Sequence, residues 1–75
     1  METLMKPMSK SEYAKALDGL GFTNRGFCKW LGVDERTGRK WIDGTSPIQP
    51  GVAAFLRLAL ELELDAEELR EKLGD

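Results

Sequence analysis

Residues Thr23 to Ile42 read TNRGFCKWLGVDERTGRKWI, and within this stretch one helix starts, stops and hands over to a second. Thr23 supplies a hydroxyl suited to capping a helix start, and Phe27, Cys28, Trp30 and Leu31 follow as its apolar positions. Gly32 stops that helix, and Val33 is the single apolar residue in the gap. Asp34 then caps the next helix, Glu35 to Asp43, which Gly44 closes. Two helices joined by so short a turn must cross steeply. The corner needs a residue at ease with positive φ, and the point of closest approach needs a small side chain. Gly32 and Cys28 meet those needs, while Trp41, with Ile42 beside it, is expected to face inward.

Working outward, Ser9-Lys10-Ser11-Glu12 has capping-box spacing and predicts a first helix with Tyr13, Ala16, Leu17 and Leu20 on one face, ended by Gly21. Gly19 weakens its last turn. On the other side, Pro47 disfavours helix at Ser46, Ile48 is free to plug the core, and Pro50 suits the first position of a fourth helix. Val52, Phe55, Leu56, Ala59 and Leu60 form the apolar stripe of that helix, with Leu58 and Leu62 lying off it. Asp65 to Glu68 repeats the capping-box spacing and starts a short fifth helix carrying Ala66, Leu69 and Leu73, with Gly74 behind it. Residues 1–8 lack periodicity and are expected to form a mobile arm, leaving 9–75 as a single domain.

Composition narrows what such a domain does. With 75 residues, 41% hydrophobic and 32% charged, the chain has the make-up of one soluble globular domain, which at this size buries only about three fifths of its unfolded surface. Cys28 is the only cysteine and histidine is absent, so neither an internal disulfide nor a zinc site is expected and packing must supply the stability. Met1 to Lys10 contain no apolar run long enough for a signal or a membrane span, so the expectation is a cytoplasmic protein with no membrane partner. The net charge is −2, yet its distribution is uneven. Arg25, Lys29, Arg36, Arg39 and Lys40 cluster on the central stretch against Asp34, Glu35 and Asp43, whereas residues 46–75 set Arg57, Arg70 and Lys72 against seven carboxylates.

The chain from about Ser9 to Leu62 resembles the Cro/repressor-type, or Xre-type, helix-turn-helix family. The words that carry the likeness are Leu31-Gly32-Val33-Asp34-Glu35-Arg36-Thr37, then Trp41-Ile42-Asp43-Gly44, then Pro47-Ile48-Gln49-Pro50 followed by Val52-Ala53. Each falls on an element boundary that the residues themselves mark. The resemblance implies an all-α, lambda-repressor-like bundle of about five short helices, in which the helix from Glu35 to Asp43 enters the major groove of double-stranded DNA. Where the family carries an aliphatic residue in the buried middle of that helix, this chain has Gly38. The glycine is expected to cost about 1 kcal/mol against alanine, with Trp30 or Ile42 filling the space.

On that reading the base-reading residues are Glu35, Arg36, Thr37 and Lys40. Arginine and lysine pair with guanine O6 and N7, a threonine methyl packs on thymine, and a glutamate accepts from cytosine N4. Phosphate contacts fall to Asn24 and Arg25 at the start of the second helix, to Arg39 at the flank, and to Thr45, Ser46 and the Gly51 backbone near the fourth. The plainer reading makes these charges a solvated face with Glu35 and Arg39 as an i,i+4 pair, and makes the hydroxyls capping and turn chemistry. Leu58, Leu62, Leu69 and Leu73 are candidates for a homodimer seam, their plain alternative being the packing of the fifth helix onto the fourth. No histidine base, phosphate-cradling glycine loop before a Lys-Ser/Thr pair or zinc-ligand set is present, and the carboxylates are expected mostly on exposed helix faces, so the expectation is a transcription regulator without a cofactor and not an enzyme. The competing reading is a protein-interaction module, antitoxin- or adaptor-like, on the same fold with weak or no DNA binding; the acidic balance favours it.

Overall fold

Four side-chain caps set the starts of the helices in the structure, a computed structural model that describes residues 7–74. Ser9 Oγ accepts from the Glu12 amide at 3.1 Å, Thr23 Oγ1 from Gly26 at 2.9 Å, Asp34 Oδ1 from Arg36 at 2.9 Å and Asp65 Oδ1 from Glu68 at 2.8 Å. Each satisfies a backbone donor that the first turn of a helix leaves without a partner. The resulting elements are α1 (Lys10–Leu20), α2 (Asn24–Leu31), α3 (Glu35–Asp43), α4 (Pro50–Glu61) and α5 (Ala66–Leu73). The fold is all-α, with no strand among the described residues, and no described helix is long and apolar enough to cross a membrane.

α1 is the hub. It packs against α4 and α3 and, less extensively, α2, while α2 and α3 pack on each other. Tyr13, Ala16, Leu17 and Leu20 are all buried, as their spacing predicts. Around Tyr13 the large rings meet edge to face, with centroids 6.3 Å from Phe27 and 5.9 Å from Trp41. Such geometry adds about 0.5–1.5 kcal/mol per pair to the burial itself. Gly32 sits at φ 80°, the left-handed corner that the short turn between α2 and α3 demands.

Several expectations are corrected by the packing. The lack of periodicity places residue 8 in the arm, yet Met8 is buried in the core and the Pro7 carbonyl accepts from Arg57 Nη2 at 3.2 Å. Residues 1–6 of that arm lie outside the described residues. Glu12's two carboxylate oxygens receive Arg57 Nε at 2.7 Å and Nη2 at 2.8 Å, a bidentate bridge fastening α1 to α4. Of the four apolar positions expected of α2, Leu31 is exposed, whereas Trp30 packs against Phe22 and Phe55 with centroids 5.5 and 5.9 Å away. The end of α5 covers that flank: Trp30 Nε1 donates to the Gly74 carbonyl at 2.8 Å. Leu60 is exposed too and lies over Gly19, whose missing side chain gives its Cδ2 room.

Candidate nucleic-acid interface

The inward side of α3 is set by Trp41 and Gly38, both buried. A helix turns about 100° per residue, so the opposite side carries Arg36 and Asp43, flanked by Arg39 and Lys40. All four are exposed, as is Glu35. Thr37 differs from the other expected base readers: it lies close to Trp41 around the helix and is half-buried against the scaffold. Arg39 Nη2 stands 3.6 Å from Glu35 Oε1, an ion pair whose side chains are 67% and 58% exposed. Solvent screens so open a pair, leaving both groups available to other partners.

Gly38 does not leave a gap for Trp30 or Ile42 to fill. An added Cβ there would collide with Cys28 Sγ and lie 3.4 Å from Cys28 Cβ and 3.6 Å from Asn24 Nδ2. The thiol of α2 thus occupies the volume that a side chain at 38 would take. Cysteine where a close crossing calls for a small residue, and glycine where α3 would carry a larger one, keep the two backbones in contact.

Asn24 also has a role that its position at a helix start does not reveal. Its Oδ1 accepts from Tyr13 Oη at 2.6 Å and from Cys28 Sγ at 3.8 Å, and its Nδ2 donates to the Gly38 carbonyl at 3.1 Å. The amide therefore ties α1, α2 and α3 together at one point, and the phosphate contact expected of its side chain gives way to this internal duty. Burial raises the ionisation of Tyr13 above its ordinary 10.0, with Cys28 adding to the shift. Burial also raises the Cys28 thiol above 9.0, with the neighbouring Tyr13 hydroxyl opposing the shift. Both groups stay neutral at physiological pH, which makes Cys28 a packing residue rather than a reactive thiol.

The other expected phosphate contacts fall in two places. Arg25 is exposed on α2 and borders a shallow hollow shared with Glu35, Arg39 and Ile42. Beyond α3, the amides of Thr45 and Ser46 donate to the Lys40 carbonyl at 2.9 and 3.3 Å, and Thr45 Oγ1 reaches the same oxygen at 3.4 Å. Their observed work is closing α3. Gly51 lies in the first turn of α4, which has no side-chain cap, and an added Cβ there would meet nothing within 4 Å. A ligand oxygen can approach that backbone closely.

Of the four leucines expected at a seam, Leu58, Leu62 and Leu73 are 46%, 59% and 64% exposed, whereas Leu69 is 2% exposed and belongs to the core. The three rim an apolar groove between α4 and α5, floored by Ala59 and Leu69 and bordered by Lys72. Compared with protein-family models, with curated proteins and with solved structures, the chain matches none.

Proposed function

We propose that the chain is a sequence-specific double-stranded DNA-binding domain, a repressor-like bacterial or phage transcription regulator rather than an enzyme, that lays α3 in the major groove. The observation that carries the reading is the outer face of α3. Arg36, Arg39 and Lys40 are exposed on it, opposite the buried Trp41 and Gly38, one short turn beyond an α2 that exposes Arg25. A helix fits the width of the major groove, and exposed arginine and lysine there have the donors that guanine requires. Arg36 and Lys40 read bases, Glu35 accepts from cytosine when it exchanges Arg39 for a base, and Thr37 contributes only from the edge of the face. Arg25, Arg39 and the uncapped first turn of α4 at Gly51 hold the backbone. A cytoplasmic location goes with this function.

One helix of this length covers only a few base pairs, so the reading takes two copies on neighbouring half-sites. The groove rimmed by Leu58, Leu62 and Leu73 is the face that pairs them. Lys72 borders it, and a two-fold axis sets the same apolar patch of each copy against the other.

Selection from random duplex DNA at low and moderate salt tests the reading directly. Enrichment of an inverted repeat is the expected result. Absence of duplex affinity even in dilute buffer would overturn it and leave the leucine groove as the mark of a protein-interaction module.

A further inference from the structure

We infer that the DNA-binding face runs beyond α2 onto α5, with Lys29 and Arg70 taking phosphates of the same duplex; this rests on the function proposed above. Around α2, Phe27 and Cys28 are turned to the core and to α3, and Arg25 and Lys29, one turn apart, share the exposed side. On one edge of that side Arg25 borders the hollow that also holds Arg39 of α3. On the other edge Lys29 borders a second hollow, lined by Gly26, Trp30 and Arg70 of α5. Arg39, Arg25, Lys29 and Arg70 therefore follow one another across three helices. Among the described residues the only carboxylate lining these two hollows is Glu35, already beside Arg39. In a chain of net charge −2 this is a local cationic track, and each strand of a duplex carries one phosphate per about 3.4 Å of helix axis for it to meet.

The far end of the track is held in place. Arg70 lies over the Phe22 ring, 5.4 Å from its centroid, and the Trp30 bond to the Gly74 carbonyl fastens the end of α5 beside α2. A guanidinium set against an aromatic face keeps donors turned outward while losing little freedom on binding. At Arg70 the surface changes sign: Arg70 also borders the next hollow, whose other charged residues are Asp65, Glu67 and Glu71. Those carboxylates repel a backbone, so the track ends at Arg70.

Counterion release makes the idea measurable, because removing one phosphate-neutralising cation flattens the slope of log K against log salt by about 0.9. The experiment measures binding of a fluorescent duplex over a salt series for the wild type, Lys29→Gln, Arg70→Gln and Lys40→Gln, each checked by thermal denaturation. Lys29 is exposed and makes no ion pair among the described residues, so Lys29→Gln tests the track without disturbing the fold. Arg70→Lys keeps the charge while removing the planar group from Phe22, which separates the phosphate interaction from the packing. The expected result is a slope shallower by about 0.9 for Lys29→Gln and for Arg70→Gln, unchanged for Arg70→Lys, with the preferred sequence kept in all three. Wild-type binding that loses sequence preference in Lys40→Gln but keeps its full salt slope in Lys29→Gln and Arg70→Gln would overturn the extension and leave the major-groove reading standing. A wild type without duplex affinity would remove both.

Discussion

Cys28 Sγ occupies the space that a Cβ on Gly38 would need, so α2 and α3 meet through a thiol on one helix and a missing side chain on the other. The two positions are therefore coupled. Gly38→Ala gains about 1 kcal/mol of helix propensity but forces the thiol aside, and overpacking of this kind costs about 1–3 kcal/mol. The single substitution is expected to destabilise, Cys28→Ala to cost about 1 kcal/mol because it empties the space the thiol fills, and the double variant to recover most of the stability. Denaturant midpoints for the four proteins give the coupling energy. Purely additive effects would show that the two helices do not meet this way.

Asn24 is the second coupled point. With Tyr13 Oη at 2.6 Å and the Gly38 carbonyl at 3.1 Å, Asn24→Ala leaves a part-buried hydroxyl and a carbonyl without their partner. A cost of about 1–3 kcal/mol in stability is expected, with Tyr13→Phe costing somewhat less because it removes one bond. Unchanged denaturation accompanied by weakened DNA binding would return Asn24 to the phosphate role its position first suggests.

How far the fold could be read from the residues depends on whether the signal is local. Ser9, Thr23, Asp34 and Asp65 cap helices, and Gly21, Gly32 and Gly44 end them in left-handed geometry, because capping and chain reversal need only near neighbours. The end of α4 carries no such mark: Glu63 adopts φ 56° there, and a glutamate gives no hint of it. Met8 is a lone apolar residue without periodicity, so nothing local signals its burial. Trp30 and Leu31 differ because α5 covers one flank of α2, a tertiary choice that helical spacing alone does not contain. The same holds for the candidate site. Exposed Arg36, Arg39 and Lys40 follow from the position of Trp41, whereas Asn24 meets partners 11 and 14 residues away and Arg70 joins the α2 surface only through the fold.

The Tyr13 and Cys28 groups that share Asn24 make stability fall at alkaline pH. Burial raises both above their ordinary values of 10.0 and 9.0, so in that range the unfolded chain releases protons that the folded chain keeps. Stability then decreases with rising pH, because the unfolded state binds fewer protons. The denaturant midpoint is expected to drop from about pH 8 to about pH 11, and the early part of the drop, near the thiol, to be absent from Cys28→Ala. A drop of the same size in Cys28→Ala would assign it to other groups.

Pairing through the leucine groove predicts a concentration-dependent dimer in sedimentation velocity. Leu62 and Leu73 are 59% and 64% exposed, so replacing either with glutamate leaves the monomer folded. Each substitution is expected to weaken the dimer by about tenfold or more, or about 1.4 kcal/mol, by placing charge at the apolar face. A wild type that sediments as a monomer at every concentration, or a dimer indifferent to both changes, would exclude this face as the seam.

Base readers and backbone holders on the same surface must fail differently. Lys40 projects from the outer side of α3 and Arg25 from the flank of α2, both exposed, so neither change disturbs the core. Lys40→Ala is expected to cost about 1–3 kcal/mol on the preferred site and to relax discrimination at one base pair. Arg25→Ala is expected to lower affinity by a similar factor on every duplex and to leave the order of preferred sequences intact, since a phosphate looks the same beneath any base. Affinities for the selected site and its single-base variants, measured at one salt concentration, separate the two. If Lys40→Ala weakens all duplexes equally, α3 lies along the backbone and not in the groove, and the residues that discriminate bases must be sought on another element.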